Sequence, residues 1–231
     1  MSQPKNKPSA DPEAPVPKAV VNRLSLYLRE LQHLLRDGHQ TTSSSHLGSL
    51  LGFTDAQVRK DLAYFGHFGY PGIGYRCDEL ITEIKRILGT DRAWPVAMVG
   101  VGNLGRALLG YRGFGQQNFR IGAAFDVDPE KIGAIIEGVR VHHLDQLEPV
   151  VRDQRLQLGM IVVPATWAQP VADKLVAAGI EGIVNFAPVT IVLPPTVSLV
   201  GVDLAMELEQ LSFAVVNRGL EKLDDRKAKN D

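Results

Sequence analysis

Gly100-Val101-Gly102-Asn103-Leu104-Gly105 places three glycines directly after the apolar run Pro95-Val96-Ala97-Met98-Val99 and directly before a stretch with helical periodicity, Leu104 to Tyr111. In that setting the first glycine allows a tight turn, the second removes a Cβ so that a pyrophosphate can approach the backbone, and the third lets helix pack on strand. The helix start adds N–H donors and a positive dipole end, which brings Asn103 and Leu104 into the candidate site. The next apolar run, Phe119 to Phe125, leads into Asp126, 21 residues past Gly105. A carboxylate there can accept hydrogen bonds from an adenosine ribose and repels a 2′-phosphate, so the spacing predicts a site for an unphosphorylated dinucleotide.

Chemistry on a bound dinucleotide would need a proton-transferring side chain, and His142, His143 or a lysine would have to supply it. The two histidines follow a short strand, Val139-Arg140-Val141, in what reads as a loop, where solvation is the ordinary role. The chain also has no residues to spare for a substrate-binding domain. A dinucleotide site without a catalytic constellation predicts a sensor; the main competing reading is an NAD-dependent oxidoreductase carrying an N-terminal interaction module, and a third is a CoA- or nucleotide-binding module with no DNA target, against which the Arg59-Lys60 helix argues. No metal site is expected.

A second group of residues suits nucleic acid. Thr54 and Gln57 form a capping-box pattern ahead of Val58, Leu62 and Phe65, which share one helical face. With those three inward, Gln57, Arg59 and Lys60 fall outward or on the flanks, in the half of a recognition helix that meets the major groove. Ser43, Ser44 and Ser45 stand where they could cap the preceding helix and donate to phosphate. The stretch Gly69-Tyr70-Pro71-Gly72-Ile73-Gly74-Tyr75 reads as a tight β-hairpin or extended loop, small at the tip around Gly72 and Gly74, suited to a minor groove. Taken alone, Arg59-Lys60 beside Asp55 and Asp61 would be a solvated helix face.

The elements that must position these residues follow from periodicity. Residues 1–17 contain five of the fourteen prolines and read as a disordered tail. Val20, Leu24, Tyr27, Leu28, Leu31 and Leu35 then make an apolar stripe on a helix to about Arg36, ended by Asp37-Gly38. A short helix, His46 to Leu51, the capped helix after Thr54, the hairpin, and a helix from Asp78 to Leu88 complete a winged helix-turn-helix over 18–92. Beyond it, apolar runs at 95–99, 119–125, 158–163, 182–186 and 197–202 alternate with helical stretches 104–111, 144–154 and 167–178. Such alternation predicts an α/β, Rossmann-like, doubly wound parallel sheet over 93–203. Leu204 to Val216 is apolar over more of its surface than one exposed helix should be, so it needs a partner surface, most simply a second subunit.

Composition agrees. With 231 residues, 45% hydrophobic and 22% charged, the chain is an ordinary globular one. Its net charge of −1 advertises no polyanionic partner, but residues 1–92 carry net +2 and 93–231 net −3. The single cysteine, Cys77, cannot form an intramolecular disulfide, and no long apolar run resembles a signal or membrane segment, so a reduced, cytoplasmic setting is expected. Cys77 itself is expected to be structural.

The combination resembles the redox-sensing transcriptional repressor family Rex. The matching stretches are Arg23 to Arg29, Gln57-Val58-Arg59-Lys60-Asp61-Leu62-Ala63-Tyr64-Phe65-Gly66, Gly100 to Gly105, Phe125-Asp126-Val127-Asp128-Pro129-Glu130-Lys131 and Asn185-Phe186-Ala187-Pro188, and the likeness covers about 18–220. It implies a homodimer that exchanges C-terminal helices (204–220, ahead of a charged tail 221–231), binds an inverted-repeat operator when NADH is low, and leaves it when NADH binds. The implied dinucleotide site adds Val127, Lys131 and Pro164 to the glycine loop and Asp126, with Tyr111 and Asn185, Phe186, Ala187 and Pro188 toward the nicotinamide. Tyr64 joins the implied DNA contacts. Arg29, Tyr111 and Asp203 are implied to couple the nicotinamide site to the DNA-binding domain.

Overall fold

The computed structural model describes residues 16–227, with side chains described through residue 218. The expected tail 1–17 lies outside the described residues apart from Val16 and Pro17, as do residues 228–231 of the charged end. Two units separate, one ending at Ala93 and the other beginning at Trp94.

In the first unit, α1 (Lys18–Arg36) buries Val20, Leu24, Tyr27, Leu28 and Leu31 as the stripe requires, and Leu34 in place of the expected Leu35. After β1 (Thr41–Thr42), α2 (Ser44–Leu51) starts two residues earlier than its apolar residues suggest, because Ser43 caps it by accepting the His46 N–H at 3.0 Å. Gly52, at φ 75°, closes it. Then α3 (Asp55–Ala63) begins at Thr54, whose hydroxyl accepts the Gln57 N–H at 3.1 Å. Only half of the expected capping box forms, since the Gln57 amide turns instead to Asp61.

The wing also differs from a simple hairpin. Tyr70 and Gly74 exchange backbone hydrogen bonds at 2.7 and 3.0 Å around the tip, but the next strand, β2 (Tyr75–Arg76), pairs with β1 rather than with the other arm. Gly74, at φ 88°, lies so close to the Thr42 carbonyl that a Cβ there would collide with it. β1 is two residues long, too short to show a period. The unit closes with α4 (Cys77–Leu88), which packs on α1; Cys77 is fully buried at its start.

The second unit is one seven-stranded sheet. In chain order it contains β3 (Trp94–Val99), α5 (Asn103–Leu109), α6 (Gly113–Gln116), β4 (Phe119–Asp126), β5 (Ile135–Ile136), β6 (Val139–His143), a 3-10 turn at Leu144–Gln146, α7 (Leu147–Asp153), β7 (Leu158–Ile161), α8 (Ala165–Ala177), β8 (Gly182–Asn185), β9 (Ser198–Gly201) and α9 (Leu204–Lys227). The strand order is β5-β6-β4-β3-β7-β8-β9, parallel throughout from β6 to β9, with β5 antiparallel at the edge. That is the doubly wound order, with its switch point between β3 and β7. Alternate residues of β3 feed two cores: Ala97 and Val99 pack with α7 and α8, Val96 and Met98 with residues on the other face.

Three expectations change here. His142 and His143 belong to β6, not to a loop, because the parallel ladder with β4 continues through Phe125↔His142 and Asp126↔His143. β5 and α6 were too short to register in the pattern. The last helix runs to Lys227 rather than ending at 220, since the charged residues beyond 220 are good helix formers with no proline to stop them. Its Leu204, Met206, Leu208, Leu211, Phe213, Val215 and Val216 are all more than half exposed. Among the described residues no helix is long and apolar enough to cross a membrane.

Candidate functional site

Parallel strands bring their carboxyl ends to one edge of the sheet, and there β3, β4, β7 and β8 deliver Gly100, Asp126, Val162 and Asn185. The three glycines of the first turn meet three different surroundings. Gly100, at φ 102°, donates its N–H to the Phe125 carbonyl at 2.8 Å, and a Cβ on it would strike the Val162 carbonyl. Gly105 faces the Gly100 carbonyl so closely that a Cβ would collide with it, which fixes α5 on β3. Gly102 has no heavy atom within 4 Å of where its Cβ would be. Two glycines are therefore demanded by the fold; the third leaves an open cradle.

Asp126 ties the loop to the next strand. Its Oδ2 accepts the Val101 N–H at 2.8 Å and meets Lys131 Nζ at 3.3 Å, while Oδ1 accepts the N–H groups of Val127 and Asp128 at 2.8 and 3.0 Å. Burial pushes the carboxyl up, but the Asp128 and Val101 N–H groups and the Lys131 ammonium outweigh it and hold Asp126 below the usual carboxylate range. Lys131 also reaches Asp128 at 3.2 Å; burial opposes its charge, the two carboxylates prevail, and its pKa rises.

A cavity of about 600 Å³ opens beside these residues. It brings together the expected Gly100, Gly102, Asp126, Val127, Lys131 and Pro164. Asn103, Leu104 and Gly105 adjoin it as the first residues of α5. The opposite wall was not foreseen: Val162 and Val163 from the end of β7, Trp167, Pro170, Val171 and Lys174 from α8, and Leu144. A tryptophan in the first turn of a helix capped by Pro164 was the available signal; Trp167 is exposed there.

The residues expected toward the nicotinamide lie outside that wall. Tyr111, two residues past the end of α5, is exposed and sits edge-on to Phe114 with ring centroids 5.0 Å apart. Asn185 is buried and commits its amide to its own loop: Nδ2 donates to the Ala187 and Val189 carbonyls at 3.1 and 2.9 Å, and Oδ1 accepts the Ala187 N–H at 3.0 Å. Phe186 is half-buried, Ala187 buried and Pro188 exposed. Asp203 caps α9, its Oδ1 accepting the N–H groups of Ala205 and Met206 at 2.9 and 3.3 Å. His142 lies against the Phe125 ring, and His143 Nδ1 accepts the Asp145 N–H at 3.2 Å, so both are occupied structurally. Among the described residues, no group of three or more His, Cys, Asp or Glu could hold a metal ion.

In the first unit, Arg59 and Lys60 are exposed on α3. Arg59 Nη1 donates to Asp55 Oδ2 at 2.7 Å and Ser44 Oγ at 3.1 Å, which draws the start of α2 and the outer face of α3 together. Ser43 is exposed at the head of α2, Tyr64 half-buried at the end of α3, and the wing tip with Gly72 exposed. Arg29 is exposed on α1. Asp61, which by type alone would belong to a solvated face beside Arg59, is fully buried, with Arg23, Tyr27 and Gln57 around its carboxylate.

Comparison with known proteins agrees with both halves. A family model described as "Putative DNA-binding protein N-terminus" matches residues 15–63, and one described as a CoA binding domain matches residues 91–189. The redox-sensing transcriptional repressor Rex of Syntrophobacter fumaroxidans is 46% identical over 201 residues, which cover 87% of this chain and 96% of the relative. The crystal structure of RSP in complex with β-NAD+ and operator DNA matches at a TM-score of 0.85 and 35% identity, covering 91% of this chain and 97% of that one. RSP in complex with β-NADH matches at 0.81 and 33%, covering 91% and 99%.

Proposed function

Because the chain belongs to the Rex family of redox-sensing transcriptional repressors, we propose that it represses transcription as a homodimer on an inverted-repeat operator and leaves the DNA when NADH enters the cavity beside Gly102. The observation that carries this reading is the glycine turn, closed by the fold at Gly100 and Gly105 and open at Gly102, at the mouth of an apolar cavity of about 600 Å³. A dinucleotide fits such a cradle through its pyrophosphate. RSP, a solved relative, has been crystallised with NAD+ on operator DNA and, separately, with NADH.

In this reading Gly100, Gly102, Asn103, Leu104 and Gly105 receive the pyrophosphate, and Asp126, Val127 and Lys131 the adenosine ribose, with Pro164 on the facing wall. Asp126 already accepts four donors. A ribose hydroxyl must therefore share an oxygen with a donor already there, and the Lys131 ammonium, at 3.3 Å the most distant of the four and the one on a side chain, is the one best able to make room. Tyr111, Phe186, Ala187 and Pro188 serve the nicotinamide end, where Asn185 holds the loop in shape. Ser43, Ser44, Gln57, Arg59, Lys60 and Tyr64 meet the major groove or its phosphates, and the wing at Gly72 and Gly74 the minor groove. Arg29, Tyr111 and Asp203 couple the two ends; Asp203 is suited to this because it also caps the helix offered to the second subunit. The chain is a regulator, not an enzyme, and its setting is the cytoplasm.

The switch follows from linkage. A ligand shifts an equilibrium only by binding one state better, so the NADH-favoured dimer must present its two α3 helices at a spacing that no longer fits successive major grooves. NADH and NAD+ differ at the nicotinamide, so discrimination belongs to Tyr111, 185–188 and Asp203 rather than to the glycine turn. The test is a mobility shift on an inverted-repeat duplex selected by the chain itself, with each nucleotide titrated separately. Release by NADH at concentrations where NAD+ leaves the complex intact is expected; equal response to both, or to neither, would refute the proposal.

A further inference from the structure

Asp61 is a buried charge on which side chains from two helices converge. Arg23 of α1 grips it with a fork, Nε to Oδ2 at 2.6 Å and Nη2 to Oδ1 at 2.8 Å. Tyr27, one turn along α1, donates its hydroxyl to Oδ2 at 2.8 Å. Gln57, one turn earlier on α3, donates Nε2 to Oδ1 at 2.7 Å. The Asp61 side chain is 1% exposed, and that of Arg23 21%. Replacing such a cluster by packed apolar side chains generally costs a protein little stability, so stability alone is weak grounds for its presence.

What the cluster fixes is the Gln57 amide. An ionised carboxylate only accepts hydrogen bonds, so the NH2 end of Gln57 must face Asp61 and the order of donor and acceptor along that amide is set. Glutamine distinguishes bases by that order, meeting an adenine edge with one acceptor and one donor. A side chain already held also loses less rotamer freedom on docking. We infer that Asp61, clamped by Arg23 and Tyr27 of α1, is a specificity-determining positioning residue: it never touches the duplex but holds the Gln57 amide in one orientation at the start of the recognition helix. The inference rests on the operator-binding reading above.

The experiment measures fluorescence anisotropy of the full chain on two labelled duplexes, an inverted repeat selected from random sequence by the wild-type chain and a scrambled duplex of the same length. Lost folded protein lowers both apparent affinities alike and leaves their ratio unchanged. A mis-set Gln57 lowers only the first. Asp61→Asn is expected to reduce the ratio about tenfold and Tyr27→Phe about threefold, with neither reducing it further once Gln57→Ala is present. Tyr27→Phe keeps the ring and its edge contact with Phe53, so it decides alone if Asp61→Asn does not fold. An unchanged ratio in folded Tyr27→Phe, or an equal fall with and without Gln57→Ala, overturns the inference. A wild-type chain that selects no sequence overturns the repressor reading itself, a distinguishable result.

Discussion

Arg59 is exposed but not idle, bridging Asp55 within α3 and Ser44 on α2. An ion pair this exposed contributes little and is readily exchanged for a better partner, so the guanidinium is prepositioned without being committed. Arg59→Ala should weaken operator binding by ~1–3 kcal/mol and leave NADH affinity intact, which anisotropy and calorimetry on one protein preparation would check; unchanged operator affinity removes Arg59 from the interface. Its exposure was legible in the sequence, because Val58 and Leu62 name the buried face by their spacing. Asp61 was not. By type and neighbours it belongs with the solvated charges, and its burial depends on Arg23 and Tyr27, 38 and 34 residues away in the chain. Helical periodicity has no access to a contact of that separation.

The glycine turn shows how one motif divides its labour between fold and ligand. Gly105→Ala would drive a Cβ into the Gly100 carbonyl and lift α5 from β3, so both the melting temperature and nucleotide affinity should fall. Gly102→Ala meets open space and should melt like the parent, while its Cβ fills the pyrophosphate cradle and reduces affinity for NADH and NAD+ alike. Calorimetric titration beside thermal unfolding separates the two; a Gly102→Ala chain that binds NADH normally would show that the cradle is elsewhere. The strand, turn, helix and strand that frame this motif could be read from apolar runs and glycine spacing. The facing wall could not, because Trp167, Pro170 and Lys174 reach the cavity only through the pairing of β7 with β3, which places α8 opposite the turn.

For the whole molecule, α9 is the element that one copy leaves unfinished. Its apolar residues stand in solvent, and the neighbouring β9 exposes Leu199 and Val200 at the sheet edge, a surface that a second copy would cover. A chain ended after Asp203 is expected to be monomeric by light scattering, and to lose preference for the inverted repeat because two half-sites need two recognition helices. A persistent dimer would place the interface elsewhere. The near-neutral total charge likewise conceals a division, since the +2 of residues 1–92 suits DNA, whereas the −3 of 93–231 gives no net attraction for an anionic nucleotide and leaves it to backbone N–H groups and a helix start. By itself the sequence determined whatever repeats over short distances: the stripe of α1, the caps at Ser43 and Thr54, the glycine turn, the alternation that makes a parallel sheet, and the surplus apolar surface of α9. Tertiary structure alone decided the partner of the wing strand, the place of the two histidines in β6, the far wall of the cavity and the burial of Asp61. Each of those depends on which distant segment lies alongside, and pairing across tens of residues leaves no local period to read.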